Sequence, residues 1–211
     1  MILALETSTR HASLALCDPA SGEVVEERVF TSDRAHNAAI FAPLGELLEG
    51  RRDRLTGLLV GLGPGSYGGV RVGLAVANGL SVALGVPVIG GTSLEAWEVE
   101  AESHVIVGDA RRGSFFLARI VDRRLKGEPE LIGENEFAAR LADLAGGGIG
   151  CYSADGKVVA AHPGVIPAHP SASRLARRHR DADFAGAGSV PLEPFYLRAP
   201  YITEPKAGAK S

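Results

Sequence analysis

The stretch LLVGLGPGSYGGVRVGLAVANGLSVALGVPVI, residues 58–89, constrains this chain most. A short apolar run, Leu58 to Leu62, meets a burst of glycine and then a long stretch, Gly69 to Leu84, that is apolar almost all round at helical spacing. A helix apolar on every side needs cover on every side. A strand, a tight turn and such a helix predict a layered α/β fold with a buried sheet, followed by a further strand at Val86 to Ile89.

On this helix Gly69, Gly73 and Ala77 recur every fourth residue, and so do Ala75, Gly79 and Ala83, making two smooth strips. Val70, Leu74, Val76, Leu80, Val82 and Leu84 fill most of the rest. A sheet covers one face. A second domain or a partner helix covers the other, and the partner is favoured because the other apolar helical stripe, Ile40, Leu44, Leu47 and Leu48 within Ala35 to Glu49, lies in the same half. There Pro43 must begin or kink a helix.

Before this helix, Ile2 to Leu5, Ser13 to Cys17 and Glu23 to Phe30 read as a three-strand meander. Ser93 is placed as the cap of a helix reaching about Glu102. The first half then reads β-β-β-α-β-α-β-α. The pattern strand, acid, small polar turn, second strand occurs in ILALETSTRHASLAL and again in VIVGDARRGSFFLARI, setting Glu6 against Asp109. By analogy of fold, this repeat suggests the duplicated actin-like (ASKHA, ribonuclease H-like) α/β architecture, with mixed sheets flanked by helices and a reduced second half. The divisions expected are 1–103, 104–200 and a flexible tail, 201–211. The second half offers helices at Glu134 to Leu144 and Ser171 to Arg180, and PLEPFYLRAPY reads as a last strand.

With 211 residues, a net charge of −3 and two cysteines, the chain has no general basic field for nucleic acid, no disulfide framework and no cysteine-rich metal site. The start, MILALETSTR, lacks the regions of a signal peptide, and the longest apolar stretch, Val70 to Leu84, contains Arg71 and Asn78 and is read as too short to span a membrane. A cytoplasmic protein is expected.

The glycine turn tests three chemistries. Gly63, Gly65 and Gly68 satisfy G-x-G-x-x-G between strand and helix, but this is the fourth strand, and VIGG stands where the ribose-binding acid of a dinucleotide site is needed. A P-loop needs Lys and Ser or Thr where Gly69 and Val70 stand, and a nucleophile elbow at Ser66 needs glycine where Pro64 stands. Close backbone approach explains the glycines best, with weak anion affinity at the helix start as the remaining option. The six histidines form no H-x-x-x-H pair, since Ile40 stands four residues after His36. Glu6 and Asp109 read first as turn formers. Arg174, Arg177, Arg178 and Arg180 read first as a solvated basic face, with RNA contact as the alternative.

The segments ILALETST, RAHNAAIFAPLGELL, GLGPGSYGGVRVGLAVANGLSVALGVPVIGGTSLEA, GDARRGSFFLARI and PFYLRAPY together resemble the TsaB family, also called YeaZ. The likeness is dense in the first half and patchy in the second. It implies a noncatalytic subunit of the complex that adds threonylcarbamoyl to N6 of adenosine 37 in tRNAs reading ANN codons. A TsaD-like catalytic subunit and a TsaE-like ATPase are the implied partners, with tRNA met indirectly and no membrane. ATP and metal are implied for the partners and not required by this chain. The implied interface, shared with TsaD or with a second copy of the chain, comprises His36, Ile40, Phe41, Leu44, Leu48, Gly69, Val70, Gly73, Leu74, Ala77 and Leu80. Leucine at Gly73 or Ala77 is expected to weaken docking and leave the monomer folded. A degenerate nucleotide loop of Glu6, Thr7, Ser8, Gly63, Gly65, Ser66 and Asp109 is also implied. Glu6 replaces an aspartate frequent in the family, and Tyr67 and Gly68 stand where Phe and Thr are common. The rival readings are a small-molecule kinase or nucleotide-binding protein of the same superfamily and a glycoprotease-type peptidase.

Overall fold

Strand β1 (Ile2–Glu6) sits in the middle of the first sheet, and its burial on both faces dictates what surrounds it. A computed structural model describes residues 1–32, 37–184 and 192–197. β2 (His11–Cys17) and β3 (Val24–Thr31) continue antiparallel from β1. A 3-10 turn, Asn37–Ile40, leads into α1 (Phe41–Leu48), with Pro43 in its first turn where no intrahelical donor is lost. β4 (Gly57–Gly61), α2 (Tyr67–Leu84) and β5 (Val88–Gly91) follow, β4 pairing parallel with both β1 and β5. The sheet order is β3-β2-β1-β4-β5.

Side chains alternate along each strand, so one sheet builds two cores. Leu3, Leu5, Leu14, Leu16, Leu58 and Val60 pack under α1 and α2. Ile2, Ala4, Ala15, Cys17 and Leu59 face the other way, toward a helix from the far end of the chain.

The second sheet repeats the first. β6 (His104–Asp109) and β7 (Ser114–Val121) form a hairpin carrying the short β8 (Arg124–Leu125), and β9 (Glu130–Gly133) pairs antiparallel with β7. α3 (Glu134–Gly146) leads to β10 (Cys151–Ser153), parallel to β6, and α4 (Gly156–Ala161) leads to β11 (Val165–Pro167), parallel to β10. With the two-residue β8 set aside, this is the β-β-β-α-β-α-β order of the first half, with α4 six residues long where α2 has eighteen. The duplicated, reduced α/β architecture expected from the sequence is present.

Three expectations are corrected. The segment after Ser93 is a 3-10 turn, Ser93–Glu95, capped by Thr92 and followed by extended chain. Extension lets Trp97 and Val99 face the second core, while Glu98 N–H donates to His169 O and Ser171 N–H to Ala96 O. The last helix, α5 (Ala172–Arg178), falls in the expected second division, yet Ala172, Leu175 and Ala176 pack on the first sheet against Ala4 and Ala15. Residues 192–197 form no strand; the Phe195 N–H donates to Leu62 O at 2.8 Å. The rest of the C-terminal segment, 198–211, lies outside the described residues.

Candidate functional site

Glu6 ends β1 fully buried, where a carboxylate needs partners. Its Oε1 accepts from the Ser8 N–H at 2.7 Å and its Oε2 from the Ser93 hydroxyl at 2.7 Å, while Ser93 Oγ accepts from the Gly63 N–H at 3.1 Å. One carboxyl thereby ties β1, the glycine turn and the segment after β5. Burial pushes its pKa above the ordinary glutamate value, and the hydrogen bonds oppose that shift.

Thr7 and Ser8 then press on the glycine turn. The Thr7 hydroxyl donates to Gly69 O at 2.8 Å, and the Ser66 N–H donates to Ser8 O at 2.6 Å. A Cβ at Gly65 would overlap the Ser8 carbonyl, one at Gly69 the Thr7 carbonyl, and one at Gly73 the Thr7 hydroxyl. Ser66 caps α2 by accepting from the Gly69 N–H at 3.3 Å. The N–H groups of Gly63, Ser66, Gly69 and Val70 are therefore all engaged within the protein, and carbonyl oxygens face the turn. Close approach is what the glycines provide.

Asp109 stands at the equivalent end of β6, but it is used locally. Its Oδ1 accepts from the Arg111 N–H at 2.6 Å and its Oδ2 pairs with the Arg111 guanidinium at 3.2 Å. Among the described residues, no hydrogen bond or ion pair joins it to Glu6. The structure thus gathers Glu6, Thr7, Ser8, Gly63, Gly65 and Ser66 into one closed junction and leaves Asp109 in its own turn.

The expected interface residues divide between core and surface. Ile40, Leu44, Leu48, Val70, Leu74 and Ala77 lie in the core beneath α1 and α2, Gly69 and Gly73 are buried against Thr7, and Leu80 is half-buried against the same core. Their place is inside the monomer, because the sheet takes the Gly69–Gly73–Ala77 strip to bring α2 close. Only Phe41, 58% exposed, presents a large surface there. His36 lies outside the described residues. The Gly73 and Ala77 substitutions expected to report on docking therefore perturb the core.

The second strip faces out. Ala75, Gly79 and Ala83 are exposed, Val82 is 87% exposed, and a Cβ at Gly79 meets nothing within 4 Å. On the same side of the sheet α1 exposes Phe41, Ala42 and Gly45. Sequence contained a signal for this orientation: Arg71 and Asn78, seven residues apart, share the face of Ala75 and Val82. At one end of this face the Arg71 guanidinium stacks 4.1 Å from the Tyr67 ring centroid, and its Nε donates to the Tyr196 hydroxyl at 3.3 Å. By length and composition alone the eighteen residues of α2, Tyr67–Leu84, could cross a membrane, but the inner strip of the helix is packed on the sheet.

The basic face also resolves residue by residue. Arg174 is only 15% exposed and is held by Glu98 and Glu100, and Arg180 pairs with Asp181 at 3.4 Å.

A match to the family described as TsaD, tRNA N6-adenosine threonylcarbamoyltransferase, covers residues 23–147. An uncharacterized protein of Mycobacterium tuberculosis is 30% identical over 204 residues, 94% of this chain and 92% of its own length. The tRNA threonylcarbamoyladenosine biosynthesis protein TsaB of Haemophilus influenzae is 31% identical over 136 residues, which span 60% of this chain and 56% of that protein. In fold, the chain is similar to the crystal structure of a Pseudomonas aeruginosa protein described as similar to peptidase YeaZ. The TM-score is 0.70 at 24% identity, covering 93% of this chain and 99% of that one.

Proposed function

This chain belongs to the tRNA N6-adenosine threonylcarbamoyltransferase family, in its TsaB (YeaZ) branch, and we propose that it acts there as a noncatalytic subunit. In this reading it docks a TsaD-like catalytic subunit in the cytoplasm, with a TsaE-like ATPase joining the complex. The chemistry, addition of threonylcarbamoyl to N6 of adenosine 37 in tRNAs reading ANN codons, resides with TsaD. ATP and metal belong to the partners, and tRNA is met through the complex. A second copy of this chain is the alternative occupant of the same face.

The observation that carries this reading is the outward face of α2. Ala75, Gly79 and Ala83 form a smooth strip beside an almost fully exposed Val82, and Phe41, Ala42 and Gly45 of α1 are exposed on the same side of the sheet. Small residues let another helix approach closely, and exposed Val and Phe supply apolar area to bury. The Glu6 carboxyl and the Thr7 hydroxyl are spent on holding the turn against β1, which supports the same reading, while the buried Ser8 hydroxyl has no hydrogen-bond partner among the described residues.

The test is size-exclusion chromatography with light scattering on the chain alone and mixed with the TsaD homologue of its own organism, followed by a tRNA modification assay. A heterodimer that modification depends on, weakened by Gly79→Leu and by Val82→Glu, is expected. Failure of the wild-type chain to form a complex, or unchanged affinity in both variants, overturns the assignment of this face.

A further inference from the structure

The start of β6 faces a cleft whose lining begins at Leu94 and Glu95, directly after the Ser93 that holds Glu6 and Gly63. β6 runs from His104 to Asp109, so its two ends stand roughly 17 Å apart at the usual rise per residue. At the His104 end, α5, the end of β7 and the extended segment after Ser93 enclose about 290 Å³, open to solvent on one side. Trp97, Val99 and Ile120 give it an apolar wall. Arg123, Arg174, Arg177 and Arg178 give it a cationic one.

Local carboxylates do not neutralise these cations equally. Glu98 and Glu100 hold Arg174, and Glu95 pairs with Arg124 at 2.8 Å. Glu102 lies 3.7 Å from Arg123 Nε, beyond hydrogen-bonding distance, and that buried N–H has no partner among the described residues. Arg178 donates one long hydrogen bond, 3.5 Å, to the Arg123 carbonyl and makes no ion pair with a carboxylate among the described residues. Arg177 makes no hydrogen bond or ion pair among the described residues and stands exposed at the rim.

We propose that this cleft binds a small organic phosphate, with Arg123, Arg177 and Arg178 on the phosphate and a ring of the ligand against Trp97 and Val99. Three guanidiniums suit a dianion with three terminal oxygens better than a carboxylate with two. The volume is at the low end for ligand pockets, which fits one phosphate and one ring system. Burial and the neighbouring Arg124 and Arg123 also hold the Arg178 pKa below its ordinary value, with Glu95 opposing them.

Trp97 is the single tryptophan of the chain and lines the cleft, so its fluorescence reports occupancy directly. Titration with adenosine monophosphate is expected to give a saturable change, matched by calorimetry. Inorganic phosphate and ribose 5-phosphate bind about tenfold more weakly for want of the aromatic base, and adenosine more weakly still for want of charge. Arg177→Ala and Arg178→Ala each weaken binding about tenfold with the melting temperature held, and Arg140→Ala, in α3 and paired with Glu130, leaves it unchanged. If Arg178→Ala fails to fold, the exposed Arg177 decides the question alone. Absence of a saturable signal and of calorimetric heat with all four compounds overturns the proposal. So does adenosine binding as tightly as its monophosphate, inorganic phosphate binding as tightly as the nucleotide, or unchanged affinity in the folded arginine variants.

Discussion

Gly73 and Gly79 lie six residues apart on α2 and face opposite ways, so one substitution made at both separates helix propensity from packing. Alanine gains about 0.5–1 kcal/mol over glycine inside a helix at either position. At Gly79 nothing lies within 4 Å of the new Cβ, so the gain stands alone and Gly79→Ala raises the melting temperature by roughly 1–4 °C for a chain of this size. At Gly73 the Cβ overlaps the Thr7 hydroxyl, which donates to Gly69 O at 2.8 Å. Forcing that contact costs about 1–3 kcal/mol in overpacking, and losing the buried hydrogen bond costs about 1 kcal/mol more. With the helix gain subtracted, Gly73→Ala destabilises by about 1–3 kcal/mol and lowers the melting temperature by roughly 2–12 °C. Thermal and urea melts of the three proteins measure this. Equal stabilisation by the two alanines would refute the packing of α2 on Thr7 and, with it, the assignment of inner and outer strips.

The buried carboxyl of Glu6 has a raised pKa, so its contribution to stability is full below the ordinary value of 4.5 and is lost as pH rises toward the folded value. Glu6→Gln is expected to gain on the wild type as pH rises across that window, and parallel stability–pH curves would contradict this. His104, His169 and His179 have pKa values lowered by burial, so their contribution is full above 6.5 and falls as the unfolded chain takes up protons below it. Melts at pH 7.5 and 5.5 are expected to show a loss that shrinks in His179→Gln, and an unchanged difference counts against it. A truncated chain ending at residue 103 is expected to expose the Ala4–Ala15–Leu59 face and bind a hydrophobic dye, whereas cooperative, dye-free unfolding would show that α5 is dispensable there.

Legibility in the sequence followed the range of the interactions. The β1–β2 hairpin, the strand–glycine–helix unit and the repeat around Glu6 and Asp109 are set by period-2 and helical patterning within short windows, and all three appear in the structure. The residues after Ser93 contain helix formers, but Trp97 and Val99 answer to partners about seventy residues away, across the Glu98–His169 and Ala96–Ser171 hydrogen bonds. β10, β11 and α4 are only three to six residues long, too short for periodicity to register. At the candidate site the two small-residue strips were visible. Their orientation was fixed by Thr7, sixty-six residues before Gly73, and the placement of Arg71 and Asn78 on one face was the local clue to it.

The crossing of α5 explains why a division at residue 103 describes the repeat but not the packing. In the first sheet the leucines of β1 and β2 point to α1 and α2, while Ala4 and Ala15, flanked by Ile2 and Cys17, point the other way. A face of alanines accepts only a closely approaching helix, and α5 supplies one with Ala172 and Ala176 on its inner side. Its entry is fixed by the Ala172 N–H donating to the buried Ser13 hydroxyl at 2.7 Å. In exchange, the segment that leaves the first sheet carries Leu94, Trp97 and Val99 onto the second, where Ile106 and Ile120 would otherwise face water. Each half therefore completes the other's core, and the arginine-lined cleft forms at their crossing, from α5 on one side and β7 on the other. That arrangement leaves the outer strip of α2, with Ala75, Gly79 and Val82, on the far face of the first sheet from α5, free for a partner without disturbing the crossing.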